Sequence, residues 1–387
     1  MKKIPLGGLS AESFLLEYWQ KKPLLIRQAF PDLNAPIAAD ELAGLACEEG
    51  VESRLIIHDQ NASTWDIQHG PFDDETFSSL PESHWTLLVQ AVDHWVPQAA
   101  DFIRQFDFIP NWRIDDLMIS YANDGGGVGP HYDNYDVFLI QAEGQRRWEV
   151  GGIFDQDSPR QPDVPVMLLE QWQSGEPSWI LEPGDMLYLP PQVGHNGVAI
   201  GDGCMTYSVG FRAPSFAELL TGFSDTISDQ LSSEERYADP DLVLQNNPGE
   251  ITPQALDKIK SIIQQCYEKP ELIDSWFGKL VTESKYSNDH APTGLQCSID
   301  DLIKHKAEGG IVVRSEGSRF AFIKDSELTR LFVDGEVFEC GVETSLLAEA
   351  LCARAEFDLN NLQNVFAGFE LISLLIEQGS LYPDFSK

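Results

Sequence analysis

Between Asp116 and Arg212 the sequence breaks into short apolar or alternating runs divided by glycine and proline: 116–122, 135–142, 145–150, 178–182, 186–189, 196–200 and 204–212. Such runs read as strands, and strands this closely spaced fold into a β-barrel or sandwich such as a cupin jelly roll. His131-Tyr132-Asp133 falls inside this region. Residues two apart on a strand point to the same face, so His131 and Asp133 can grip one ion together. His195 arrives from a distant strand, after Pro183-Gly184-Asp185, the apolar run Met186-Leu187-Tyr188-Leu189, and Pro190-Pro191. Pro183-Gly184 has the chemistry of a type II turn. Two imidazoles and one carboxylate on one face of an octahedron leave the opposite face open, a set that suits non-haem Fe(II). An isolated His-x-Asp is common; the turn, strand, Pro-Pro and Gly-His around the second histidine are much less so.

The flanks differ in texture. Ser10 can cap a helix running to Gln20, with Phe14, Leu15 and Trp19 on its apolar face. Strands are predicted at 24–27, 55–58, 63–68 and 86–90, and a helix over 96–106. After Pro214, amphipathic helices are predicted over 216–231, 252–267 and 271–282, followed by a linker at 284–296. Beyond it come a short helix near Asp300, a strand pair 311–315 and 319–323, a hairpin turning at Asp334-Gly335, and helices 344–354 and 360–378.

A net charge of −36 repels nucleic-acid phosphates and anionic membranes and attracts a basic partner. No apolar run reaches the roughly 18 residues that a membrane span needs. The N-terminus lacks the apolar core of a secretory signal. Six cysteines without a C-x-x-C read as free thiols in a reducing, cytoplasmic compartment. His58, His69, His84, His94, His290 and His305 have no partner at ligand spacing and read as structural or surface residues. The glycines of Gly125-Gly126-Gly127-Val128-Gly129-Pro130 allow either a substrate-facing lid or a flexible connector.

Several stretches together resemble one family. They are Tyr18-Trp19-Gln20-Lys21-Lys22-Pro23, residues 85–92, Trp112-Arg113-Ile114-Asp115-Asp116-Leu117-Met118-Ile119-Ser120, the glycine run into His131, and Tyr207-Ser208-Val209-Gly210-Phe211-Arg212. The chain is similar to the JmjC-type bacterial ribosomal oxygenases, which are arginine hydroxylases of ribosomal protein sixteen of the large subunit. The resemblance is strong to about residue 230 and persists in layout beyond. It implies an α+β chain in three parts. A double-stranded β-helix (cupin jelly roll, JmjC) occupies 1–213, a helical dimerisation region 214–290, and a winged-helix-like domain 291–387. It implies Fe(II) on His131, Asp133 and His195, with 2-oxoglutarate and O2 as co-substrates. Arg146, on the strand after a tight turn at Glu143-Gly144, matches the family's cation for the distal carboxylate of 2-oxoglutarate. Ser120 is a second donor, and Arg147 faces the other way. Asp116, Met118, Tyr135 and Ser208 match substrate-contacting positions; a carboxylate such as Asp116 fits a guanidinium through two hydrogen bonds. The expected reaction is hydroxylation of an arginine, at the β-carbon, in a basic ribosomal protein. Phe216, Leu219, Leu220 and Phe223 lie on one helix face, and the family pattern makes the chain a homodimer. A JmjC oxygenase acting on histidine or lysine, and a catalytically silent acidic cupin adaptor, are the competing expectations.

Overall fold

The computed structural model describes residues 4–59, 64–161, 167–173, 177–286, 297–326, 328–362 and 365–384. Its centre is one nine-stranded sheet. In chain order the strands are β1 (Leu24–Ile26), β2 (Ser53–Asp59), β3 (Thr64–His69), β4 (Trp85–Val89), β5 (Ile114–Ala122), β6 (Val137–Ile153), β7 (Ser178–Leu181), β8 (Met186–Leu189) and β9 (Val193–Phe211). Their order across the sheet is β1-β8-β6-β9-β5-β4-β2-β3, with β7 on the far half of β6. All neighbours run antiparallel.

The long strands β6 and β9 were each expected as two. Gly144, Gly201 and Gly203 take positive φ and bend the chain without ending its pairing. A side chain at Gly144 would meet the Gly203 carbonyl at 2.8 Å, so the first bend can approach the second only as glycine. The tight turn expected at Glu143-Gly144 is therefore a bulge within a continuous strand. Its register shifts between Gln141 and Gln145 swap the faces. Before the bulge, Val137 and Leu139 point into the barrel while Phe138 and Ile140 join the main core; after it, Trp148 and Val150 are the inward ones.

The main core lies on the outer face of the sheet, against the N-terminal helices. Phe14, Phe106, Phe138, Tyr188 and Phe211 are essentially fully buried there and meet ring to ring. Ser10 caps the first helix by accepting from the Ser13 amide, but that helix spans only Ala11–Glu17. Gln20 follows at φ 57°, a left-handed turn that the helix cannot cross. The turn carries the Gln20 amide to the Tyr188 hydroxyl at 2.8 Å.

Helices Phe216–Gln230, Pro253–Tyr267 and Pro270–Thr282 follow the sheet. The third lies on the C-terminal strands, where the face of Gly278 meets the Phe332 ring so closely that an added Cβ would fall 2.4 Å from it. The C-terminal unit holds two three-stranded sheets. Strands Ile311–Arg314 and Phe320–Lys324 were expected to pair with each other and do not. The first pairs with Glu356–Asp358 and Leu381–Asp384, the second with Thr329–Val333. Gly317, at positive φ and packed on His94, sends the chain from one sheet to the other. The Asp334-Gly335 hairpin forms as read, with positive φ at both residues. Residues 287–296 of the expected linker, His290 among them, lie outside the described residues. Among the described residues no helix is long and apolar enough to cross a membrane. All six cysteines are free thiols.

Candidate active site

The alternation of the sheet decides what enters the barrel. From β4 come Thr86 and Leu88, with Gln90 just past its end; from β5 Asp116, Met118 and Ser120; from β9 His195, Thr206, Ser208 and Gly210. With Arg146 and Trp148 of β6, and with His131, Asp133 and Tyr135, they line a cavity of about 380 Å³.

His131 is held by a two-way backbone pairing with His195, 2.9 and 2.8 Å. The segment before it is not a loose connector. Gly125 and Gly126 exchange hydrogen bonds with Ala199. Gly127 passes so near the Gly197 carbonyl that a Cβ would lie 2.4 Å away, so glycine is required for this approach. Asp133 is fixed through its carbonyl, which accepts from the Gln192 amide at 2.6 Å, just after the Pro-Pro that ends β8.

The imidazoles stand with ring centroids 4.2 Å apart. Their Nε2 atoms lie 4.0 Å (His131) and 3.6 Å (His195) from Asp133 Oδ2. One donor atom from each residue falls within 4.8 Å of the others, as three ligands of one ion must. The Nδ1 atoms face the carbonyls of Gly129 and Val193 at 2.9 and 3.0 Å. A carbonyl can only accept, so each Nδ1 carries the hydrogen and each Nε2 keeps its lone pair for a metal. Burial, with His131 alongside, lowers the His195 pKa to about 4 against the pull of Asp133. His195 is thus a neutral donor at neutral pH.

Arg146 is 4% exposed, and two of its nitrogens, Nε and Nη2, are buried without a hydrogen-bond partner. Its Nη1 makes one long contact with the Gly197 carbonyl, 3.4 Å. An arginine this buried and this unsatisfied is costly unless an anion enters beside it. A carboxylate supplies two coplanar acceptors. The site therefore fits a divalent cation on the triad and a dicarboxylate reaching Arg146. Ser120 is buried in the same wall and donates weakly to the Thr206 carbonyl, 3.4 Å. Thr86 Oγ1 and Trp148 Nε1 are also buried without partners. Sequence reading passed over both, although their spacing, two residues from Leu88 and from Arg146, marks them as inward on a strand.

Asp116 is buried in the same cavity wall and accepts from Gln90 Nε2 at both oxygens, 3.2 and 3.0 Å. Met118 and Ser208 face each other across the β5–β9 register within the same cavity. Tyr135 is half exposed at the mouth. The charge of Asp133, with partial burial of the hydroxyl, raises the pKa of its phenol, which stays a neutral donor. Burial raises the neighbouring Asp115, but Lys285, Arg319 and Arg212 outweigh it and hold this carboxyl below the usual range. Arg319 comes from the C-terminal unit and donates to the carbonyls of Ile114 and Asp115, which ties that unit to the end of β5. His58 stacks on Trp65, and His305 Nε2 meets the Ile311 carbonyl at 2.8 Å; neither belongs to the cavity lining.

A family profile described as JmjC domain matches residues 101–219, and one described as ROXA-like winged helix matches 261–382. The chain is 40% identical over 330 residues to the ribosomal protein uL16 3-hydroxylase of Escherichia coli K12, covering 85% of each chain. It is 30% identical over 342 residues to a probable ribosomal oxygenase of Haemophilus influenzae, covering 85% of this chain and 82% of that one. The solved structure of YcfD, a ribosomal oxygenase from Escherichia coli, in complex with cobalt and 2-oxoglutarate superposes with a TM-score of 0.85 at 34% identity, covering 97% of this chain and 99% of that one.

Proposed function

Because the chain belongs to the JmjC-type ribosomal oxygenases, Fe(II)- and 2-oxoglutarate-dependent dioxygenases of cupin fold, we propose that it hydroxylates the β-carbon of an arginine in ribosomal protein uL16. The observation that carries the substrate reading is a buried carboxylate, Asp116, in one cavity with the His131–Asp133–His195 cluster and Arg146.

His131, Asp133 and His195 hold Fe(II), and Arg146 with Ser120 receives the distal carboxylate of 2-oxoglutarate. Bound iron with 2-oxoglutarate and O2 supplies the oxidising power to place one oxygen atom on an unactivated carbon. The remaining residues orient the target. Asp116 takes the guanidinium through paired charged hydrogen bonds. Met118 packs beside its stem, while Ser208 and the Tyr135 hydroxyl meet its polar edge. This grip on the far end of the side chain presents a carbon nearer the backbone to the metal. The net charge of −36 draws a basic ribosomal protein to the mouth.

The test is succinate release and oxygen gain with a uL16 peptide holding the target arginine. Changing that arginine to lysine is expected to remove most of the gain, since an ammonium cannot reproduce the planar two-point contact. Asp116→Ala is expected to depress peptide hydroxylation at least about tenfold, the size of a lost charged hydrogen bond, and uncoupled 2-oxoglutarate turnover much less. Equal losses in both would remove Asp116 from substrate binding. Full-length uL16 should also react faster at low salt than at high salt.

The divisions 1–213, 214–290 and 291–387 are read as catalytic, dimerising and winged-helix-like parts, acting in the cytoplasm. Support for a homodimer comes from the helices after the sheet. Phe216 and Leu220 are 85% and 59% exposed, and helix Pro253–Tyr267 buries no residue although it carries Leu256, Ile259 and Ile263. Of the face expected to pair, Phe223 is already buried against Tyr267 and Trp276. A second copy would cover the rest. Sedimentation is expected to give a dimer at micromolar concentration; a monomer there would discard this assembly.

A further inference from the structure

The carboxylate that would receive the substrate already holds a cation. Lys285 Nζ donates to Asp116 Oδ2 at 2.9 Å and to Asp115 Oδ2 at 3.1 Å. Asp115 has other positive partners, Arg212 at 3.3 Å and Arg319 at 3.6 Å. Among the described residues, Lys285 is the one cation paired with Asp116. It does not belong to the barrel. It follows helix Pro270–Thr282 on a short strap, Ser284–Tyr286, and reaches in from the mouth with its side chain 31% exposed. The strap is pinned beyond it, where the Tyr286 hydroxyl donates to Glu52 at 2.9 Å. Both Glu52 and Lys285 line the cavity.

We propose that Lys285 is an internal occupant of the guanidinium subsite, displaced when the substrate arginine binds. The inference rests on the assignment of Asp116 to substrate made above. A guanidinium seated on Asp116 with Lys285 in place would put two unit charges against one oxygen pair, with Gln90 already donating to both atoms. One cation must leave. The ammonium is a strongly hydrated single-point donor on a flexible stem near solvent, so it can return to water. The guanidinium is weakly hydrated and binds a carboxylate through two parallel bonds, so it wins the exchange. Until then Lys285 offsets the charge of a buried carboxylate that no other cation among the described residues pairs with. An occupant of this kind multiplies the apparent dissociation constant by the reciprocal of the fraction of protein in which the subsite is vacant.

The experiment uses the full-length, iron-loaded enzyme with saturating 2-oxoglutarate and the uL16 arginine peptide. Lys285→Met keeps the stem and removes the charge. Its peptide KM is expected to fall by roughly three- to tenfold, with the change in KM rather than in kcat. Lys285→Arg keeps a cation there and is expected to hold KM at or above the wild-type value. Tyr286→Phe releases the strap from Glu52 and is expected to lower KM by a smaller factor. A raised or unchanged KM in folded Lys285→Met would overturn the proposal and make Lys285 part of the binding wall. Should Lys285→Met fail to fold, Tyr286→Phe decides on the same criterion. A wild-type enzyme that places no oxygen on the peptide's arginine would instead sink the functional reading, and this inference with it.

Discussion

Asp133→Ala is expected to leave the protein folded, without bound Fe(II) and without turnover. The argument rests on charge and geometry. Two imidazoles remain, at 58° to each other and 4.2 Å apart, but no anion offsets the metal's charge. Asp133 lies on a turn fixed by Gln192 and contributes little to the core, so its loss should not spread. Changing groups that only support ligands costs roughly 10- to 100-fold in affinity or activity. Removal of a ligand should exceed that. His131→Ala and His195→Ala should behave alike, and His195→Ala also removes a buried ring packed near Trp148. Metal content after dialysis against Fe(II), with circular dichroism as a folding control, measures the effect. Full iron occupancy together with normal turnover in any of the three would refute the ligand assignment.

Arg146→Ala is expected to separate the co-substrate from the metal. The buried guanidinium has two unpartnered nitrogens and, among the described residues, no anionic contact, so its fit is to a ligand. A lost charged hydrogen bond costs roughly 1.5–3 kcal/mol, which corresponds to about ten- to a hundredfold in the 2-oxoglutarate requirement. Iron content should change little, because Arg146 sits on β6 and touches none of the ligand atoms. Titration of succinate formation against 2-oxoglutarate reads this directly. An unchanged requirement would move the role elsewhere. Arg147 is then the weaker substitute, since it is exposed on the outer face of the strand.

Much of this was legible because it depends on local periodicity. The two-residue repeat set Arg146 apart from Arg147, and the glycine-proline punctuation marked the strands; His131 and Asp133 were expected on a strand but lie between β5 and β6, where His131 makes only isolated bridges. What escaped was what glycine does inside a sheet. Gly144, Gly201 and Gly203 look like strand ends, but they bend two long strands around the barrel and reverse which side chains face inward. Pairings between distant segments also carry no local signal. Strand Ile311–Arg314 chooses partners near residues 357 and 382 over its sequence neighbour. The same holds for the contact of Lys285 with Asp116, across 169 residues. Charge patterning showed an acidic chain and could not show which carboxylate is compensated from within.

The central claim is tested most directly by tandem mass spectrometry of purified uL16 after incubation with this enzyme, Fe(II), 2-oxoglutarate and O2. A gain of one oxygen atom, fragment-mapped to the β-carbon of a single arginine and absent with Asp133→Ala, is the predicted result. Oxygen on a lysine or histidine with every arginine untouched, or no gain from an iron-loaded enzyme that still turns over 2-oxoglutarate, would contradict it.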